Sequence, residues 1–106
     1  MPDHYKVIFE PEAEQAIKDR AKYIETQSGP LTSERYVNEV YAFCESLSIF
    51  PHRGRKRDDL REGIRITNFK GTTIIPYLIN EEAKTIYILA SFHSSQDYER
   101  VLGQFV

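Results

Sequence analysis

Gly29-Pro30 separates two runs whose apolar residues recur every three or four positions, and this break limits the possible folds most sharply. Before it, Ala13, Ala16, Ile17, Ala21 and Ile24 fall at helical spacing within residues 11–28. Pro11 suits a first helical turn, and Glu10, Glu12 and Glu14 favour its positive end. After the break, Val37, Val40, Cys44 and Leu47 define one face of a second helix, from about Leu31 to Ile49, ended by Pro51. Tyr36, Tyr41 and Phe43 widen that face. Helices joined by so short a link pack as an antiparallel hairpin. The rest of the chain must then supply the layer that covers them.

That layer reads as strands. His4 to Phe9 is β-favouring, and Ile64–Phe69, Thr72–Ile79 and Thr85–His93 follow the second helix, with NEEAK (residues 80–84) as a turn. In the last strand Ile86, Ile88, Ala90 and Phe92 alternate with Tyr87, Leu89, Ser91 and His93. Period two places the first set on the helices and the second, ending in His93, on a partly open face. Pro76 cannot donate to a ladder, so a bulge or one-sided pairing is expected there. Ser94 to Phe105 suits a short closing helix, with Ser94 as N-cap and Asp97 three residues on. The expected fold is α+β, in the order β-α-α-β-β-β with a short C-terminal helix. The helix hairpin packs on one face of a mainly antiparallel sheet.

A chain of 106 residues with 41% apolar residues suits one domain with its own core. Cys44 is the one cysteine; it cannot form an internal disulfide, and it reads as a small core residue on the second helix. No His, Cys and carboxylate cluster has ligand spacing, so no metal or cofactor is expected. MPDHYKVIFE lacks a basic start followed by an apolar run, and no apolar run approaches the ~20 residues of a membrane span. The expectation is a cytoplasmic protein that does not engage a membrane.

Charge is uneven. Net charge is −2, yet residues 50–65, FPHRGRKRDDLREGIR, hold six of the fourteen Lys and Arg residues. An acidic chain is not drawn to nucleic acid as a whole, so direct specific DNA binding by this chain alone is not expected. Asp58, Asp59 and Glu62 lie within the same stretch, and internal pairing is expected to absorb most of its charge.

Three pieces of sequence, taken in order, resemble the RelE/ParE superfamily of bacterial toxins, closer to ParE. They are Phe50, Pro51, Gly54 and Arg55; Leu60, Gly63 and Arg65; and Ile88, Leu89 and His93. The likeness runs over nearly the whole chain. It implies the toxin of a type II toxin–antitoxin pair, held inactive by a cognate antitoxin whose C-terminal segment wraps it. ParE-like members inhibit DNA gyrase; RelE-like members cut messenger RNA in the ribosomal A site.

Cutting RNA by 2′-hydroxyl attack needs a base, an acid and a cation at the phosphorane. Arg65, His93 and Tyr98 are the candidates for such a set. Arg53, Arg55 and Lys56, beside His52, are candidates for holding phosphates, and Tyr77, Tyr87 or Tyr98 for stacking on a base. RelE-like RNases usually carry basic and aromatic residues after the last long strand. Here SSQDYER offers Tyr98 and Arg100 but adds Asp97 and Glu99. The balance favours gyrase inhibition without catalysis. The alternatives are a ribosome-dependent mRNA endonuclease and a non-toxic interaction or corepressor module. Arg53, Arg55, Lys56 and Arg65 are the expected partner-binding residues, the first three at the rim of an antitoxin dock. In plainer structural roles, Arg65 would pair with an acid beside its strand and His93 would cap a strand end.

Overall fold

The structure, a computed structural model, describes residues 4–93 and 98–103. Its elements are β1 (Lys6–Phe9), α1 (Pro11–Ser28), α2 (Pro30–Glu45), a 3-10 turn (Ser46–Ser48), β2 (Arg55–Lys56), β3 (Arg65–Phe69), β4 (Thr73–Asn80), β5 (Thr85–Ile88), β6 (Phe92–His93) and α3 (Tyr98–Gly103). The α+β architecture and the helix hairpin are as expected. The expected N-cap Ser94 and Asp97 lie outside the described residues.

Gly29 takes a φ of 93° and donates its N–H to Glu25, ending α1, and Pro30 then opens α2 at its first turn. Ser33, just inside α2, donates its hydroxyl to the Ala21 carbonyl at 2.6 Å and clasps the hairpin. α2 stops at Glu45, short of the expected Ile49. The Ser46 hydroxyl bonds the Phe43 carbonyl, competing with the helical ladder, and the chain tightens into the 3-10 turn.

The strands lie in the order β1-β5-β4-β3-β2, with β6 also against β4. All pairings are antiparallel except β1 with β5. The short β2 arises inside the basic stretch and was not anticipated. A two-residue edge strand has no periodicity to detect.

Two apolar clusters sandwich the sheet. On the helix side Ala13, Ile17, Val40, Cys44 and Leu47 meet Ile75, Tyr77, Ile86 and Ile88, all at 1% exposure or less. On the outer side Leu60, Ile64, Ile66, Ile74 and Leu102 pack together. Burial pushes the Cys44 thiol up to about 12, so it stays protonated and serves as a packing group.

The expected continuous last strand is broken. Tyr77 pairs with Ile88 and Ile74 with Phe92, so two residues of β4 face three of the other strand, residues 89–91. This is a bulge, and Pro76 explains it. The Pro76 carbonyl accepts from the Leu89 N–H at 3.0 Å, so that side of Pro76 faces the broken strand. A strand residue presents N–H and C=O to the same neighbour, and Pro76 has no N–H to offer. The ladder fails there and restarts one residue out of step. Every side chain beyond the bulge therefore changes face. Phe92, expected on the helices, packs in the outer cluster. His93, expected on the open face, turns to the helix side.

Candidate functional site

The basic stretch begins with a locked loop. Tyr77 is fully buried, and its hydroxyl donates to the Pro51 carbonyl at 2.8 Å and accepts from the Gly54 N–H at 2.8 Å. A Cβ on Gly54 would stand 2.7 Å from that hydroxyl, so only glycine fits. Arg65 closes the loop from below, donating Nη1 to the Gly54 carbonyl at 2.7 Å and to His52 at 3.4 Å. The acid expected beside Arg65 is replaced by backbone carbonyls. Their bonds to a cation outdo those to a neutral donor. Burial raises the Tyr77 hydroxyl pKa, which keeps it neutral as the central donor. Tyr77 has no open ring face for a base. Its role here escaped sequence reasoning, although a Tyr next to Pro76 in an apolar strand was a usable signal.

The six cations then divide, with Arg61 half-buried on the connection between β2 and β3. Arg57 makes a two-pronged pair with Asp59 at 2.9 and 2.8 Å and reaches Glu99 at 2.7 Å, tying α3 to the loop. These carboxylates raise the Arg57 pKa, and Arg57 holds the Asp59 carboxyl below the usual range. Asp58 accepts from the Gly63 N–H instead of pairing with a cation. Arg65 is held by carbonyls. Arg53 lies over the Phe43 and Phe50 rings at 5.4 and 5.6 Å and donates to the Ser46 hydroxyl. Arg55 and Lys56 are exposed on β2, and among the described residues Arg53, Arg55 and Lys56 make no ion pair. Internal pairing therefore absorbs less of the stretch than expected.

Beside these cations Ile49 and Phe50 are 45% and 60% exposed and line a shallow groove with Pro51, His52 and Arg53. His52 contacts Glu81 at 3.0 Å, and Tyr5 donates to the same carboxylate at 2.6 Å. The Tyr5 hydroxyl first, then His52, hold the Glu81 carboxyl below its ordinary range.

The three RNase candidates are not brought together. Arg65 and His93 pair with Tyr77 and Thr73 of β4 from opposite sides. That separates their backbones by on the order of 16 Å, four residues along β4 and two strand spacings across it. His93 lines a polar pocket of about 440 Å³ with Asp19, Arg20 and Tyr36. Tyr98 packs on Phe92 across the sheet, centroids 6.2 Å apart, in the outer cluster. Tyr87 is half-buried on that same outer side, paired with Leu78. Among the described residues, no group of three or more His, Cys, Asp or Glu could hold a metal ion. Nor is any helix there long and apolar enough to cross a membrane.

Comparisons bear on this geometry. The family model described as the ParE toxin of the type II toxin–antitoxin system parDE matches residues 7–98. A chain of the chromosomal ParDE system from P. aeruginosa is similar in fold, with a TM-score of 0.73 at 15% identity, covering 86% of this chain and 97% of that one. A chain of the RelBE2 toxin–antitoxin complex from Mycobacterium tuberculosis is similar at 26% identity, with a TM-score of 0.62, covering 88% of this chain and 94% of that one. No curated protein matches the sequence.

Proposed function

Because the chain belongs to the family of ParE toxins of type II toxin–antitoxin systems, we propose that it arrests bacterial growth by inhibiting DNA gyrase. A cognate antitoxin neutralises it. One observation carries the choice of route. The Arg65 guanidinium is engaged by the Gly54 and His52 carbonyls, His93 faces the helix hairpin, and Tyr98 lies beyond the sheet. RNA cleavage needs cation, acid and base within hydrogen-bond reach of one phosphate. These groups have no common phosphate to reach, which favours inhibition by binding.

Arg53, Arg55 and Lys56 form the rim that meets the antitoxin. They are exposed and bound to no acid among the described residues, so they are free to pair with an acidic partner. Such a rim sets association rate and orientation more than affinity. Arg65 acts beneath the rim, holding the loop that displays Arg53 and Arg55.

The deciding experiment runs the purified protein in two assays, gyrase supercoiling and ribosome-dependent mRNA cleavage. Inhibited supercoiling without cleavage is expected, and His93→Ala should leave that inhibition intact. Cleavage that vanishes in His93→Ala, with supercoiling untouched, would establish the endonuclease instead. That second reading draws on the RelBE2 neighbour and on the polar pocket around His93.

A further inference from the structure

The bulge completes a polar pocket of about 440 Å³ on the helix side of the sheet. The pocket lies between the helix hairpin and the start of β4, where Thr73 pairs with His93. Ser91 enters it from the bulge. Tyr36 of α2 brings its hydroxyl to the Ser91 and Thr73 hydroxyls, beside the Arg20 charge. Burial raises the Tyr36 pKa, so the phenol stays a donor. α1 supplies two opposite charges, Asp19 and Arg20. Successive helical residues point about 100° apart, so these two do not pair with each other. Gln15 donates to the Asp19 carboxylate at 2.8 Å, and Arg20 lies over the Tyr23 ring at 4.8 Å. Both contacts are with uncharged groups. Among the described residues neither Asp19 nor Arg20 makes an ion pair.

We propose that this pocket binds a free α-amino acid with an apolar side chain. Its carboxylate meets Arg20 and the three hydroxyls, and its ammonium meets Asp19. The mixed lining selects a zwitterion, because a plain anion is repelled by Asp19 and a plain cation by Arg20. The closeness of the two charges selects the α-amino form. Asp19 and Arg20 are neighbours in the chain, and in an α-amino acid the ammonium and the carboxylate share one carbon. A peptide carries those two groups at opposite ends, and a nucleic acid carries no such pair. The size selects a side chain larger than that of glycine. The volume lies within the roughly 300–1,000 Å³ of small-molecule sites, and Ala16 and the Tyr23 ring line the part that the charges leave.

The test titrates three probes into the isotope-labelled full chain and follows the amide signals of Thr73 and Ser91 by NMR. The probes are L-phenylalanine, N-acetyl-L-phenylalanine and L-phenylalaninamide. L-Phenylalanine should shift those signals and bind about three- to five-fold tighter than either derivative, the ratio that one exposed ion pair provides. Asp19→Asn should erase the preference over the N-acetyl form and keep that over the amide. Arg20→Gln should do the reverse. Preferences that move together in either variant would overturn the proposal, since that residue would then act only on structure. Equal binding of the three probes would overturn it too. So would a preference for the N-acetyl form or for the amide, which assigns the pocket to plain anions or plain cations. Shifts by L-phenylalanine confined to other residues would place its site elsewhere and overturn it equally. Neither substitution touches His93 or the basic rim, so the pocket fails separately from the gyrase and endonuclease readings.

Discussion

On the helix side of the sheet Ile17, Ile75, Ile86 and Ile88 keep 1% exposure or less, whereas on the outer side Leu60, Ile66 and Ile74 keep 8–9% around Ile64 at 0% and Leu102 at 3%. Two long helices cover the first set, and a loop with the six residues of α3 covers the second. Yet the basic rim and an apolar groove lined by Leu78, Tyr87, Leu89 and Leu102 both lie away from the sealed interface. One face holds the fold together, and the edges and part of the outer face stay open to solvent. Removing side chains from each face measures how far that division goes.

The largest effect is expected from Ile88→Ala, which opens a cavity between β5 and the helices and should cost about 3–4 kcal/mol by urea unfolding. A loss below about 1 kcal/mol would mean that the helix hairpin is not the main source of stability. Next comes the loop lock. Tyr77→Phe leaves the Gly54 N–H and the Pro51 carbonyl without their partner and should cost about 2 kcal/mol. Gly54→Ala should cost a similar amount, roughly 2 kcal/mol, and somewhat less in the Tyr77→Phe background, which removes the hydroxyl contact at 2.7 Å but keeps the ring carbon at 2.9 Å. Additive losses in the double variant would remove the Tyr77 hydroxyl as a reason for Gly54 and leave the ring.

Leu102→Ala should cost no more than about 2 kcal/mol, since a short terminal helix relaxes into the space more readily than a core strand. A loss matching that of Ile88→Ala would erase the contrast between the two faces. The smallest effect belongs to the surface. The Glu81 carboxyl is held below its ordinary range by Tyr5 and His52, so its contribution is complete above that range. It fades as pH falls from the ordinary carboxylate range through the lowered value. Glu81→Gln should therefore lower Tm slightly at neutral pH and flatten its decline over that acid interval. An unchanged profile would show that the Tyr5–Glu81–His52 contacts carry no linkage.

Much of the fold was legible because it is periodic. The faces of both helices and the strands around Ile66, Ile75 and Ile86 follow from spacing alone. Pro76 even marked where the ladder would fail. What spacing could not supply was the consequence, since a change of face needs the pairing partner to be known. Phe92 and His93 were thus assigned to each other's side. The candidate site was less legible. Arg65 looked like a phosphate or carboxylate ligand because carbonyl partners leave no mark in a sequence. Arg53, Arg55 and Lys56 could not be told from Arg57 until Asp59 and Glu99 were seen to converge on Arg57 alone.

By itself, then, the sequence determined the elements, their order and the two apolar stripes. Those depend on residues close in the chain, where backbone preference and side-chain period act. Tertiary structure alone decided which charges are spent inside the fold and which remain on its surface. It also decided that Arg65, His93 and Tyr98 stand apart. Both outcomes depend on contacts between distant residues: a tyrosine hydroxyl 23 positions from the glycine it bonds, and a carboxylate 42 positions from its arginine. Local pattern carries no information about such pairs, because their distance is set only when the layers close.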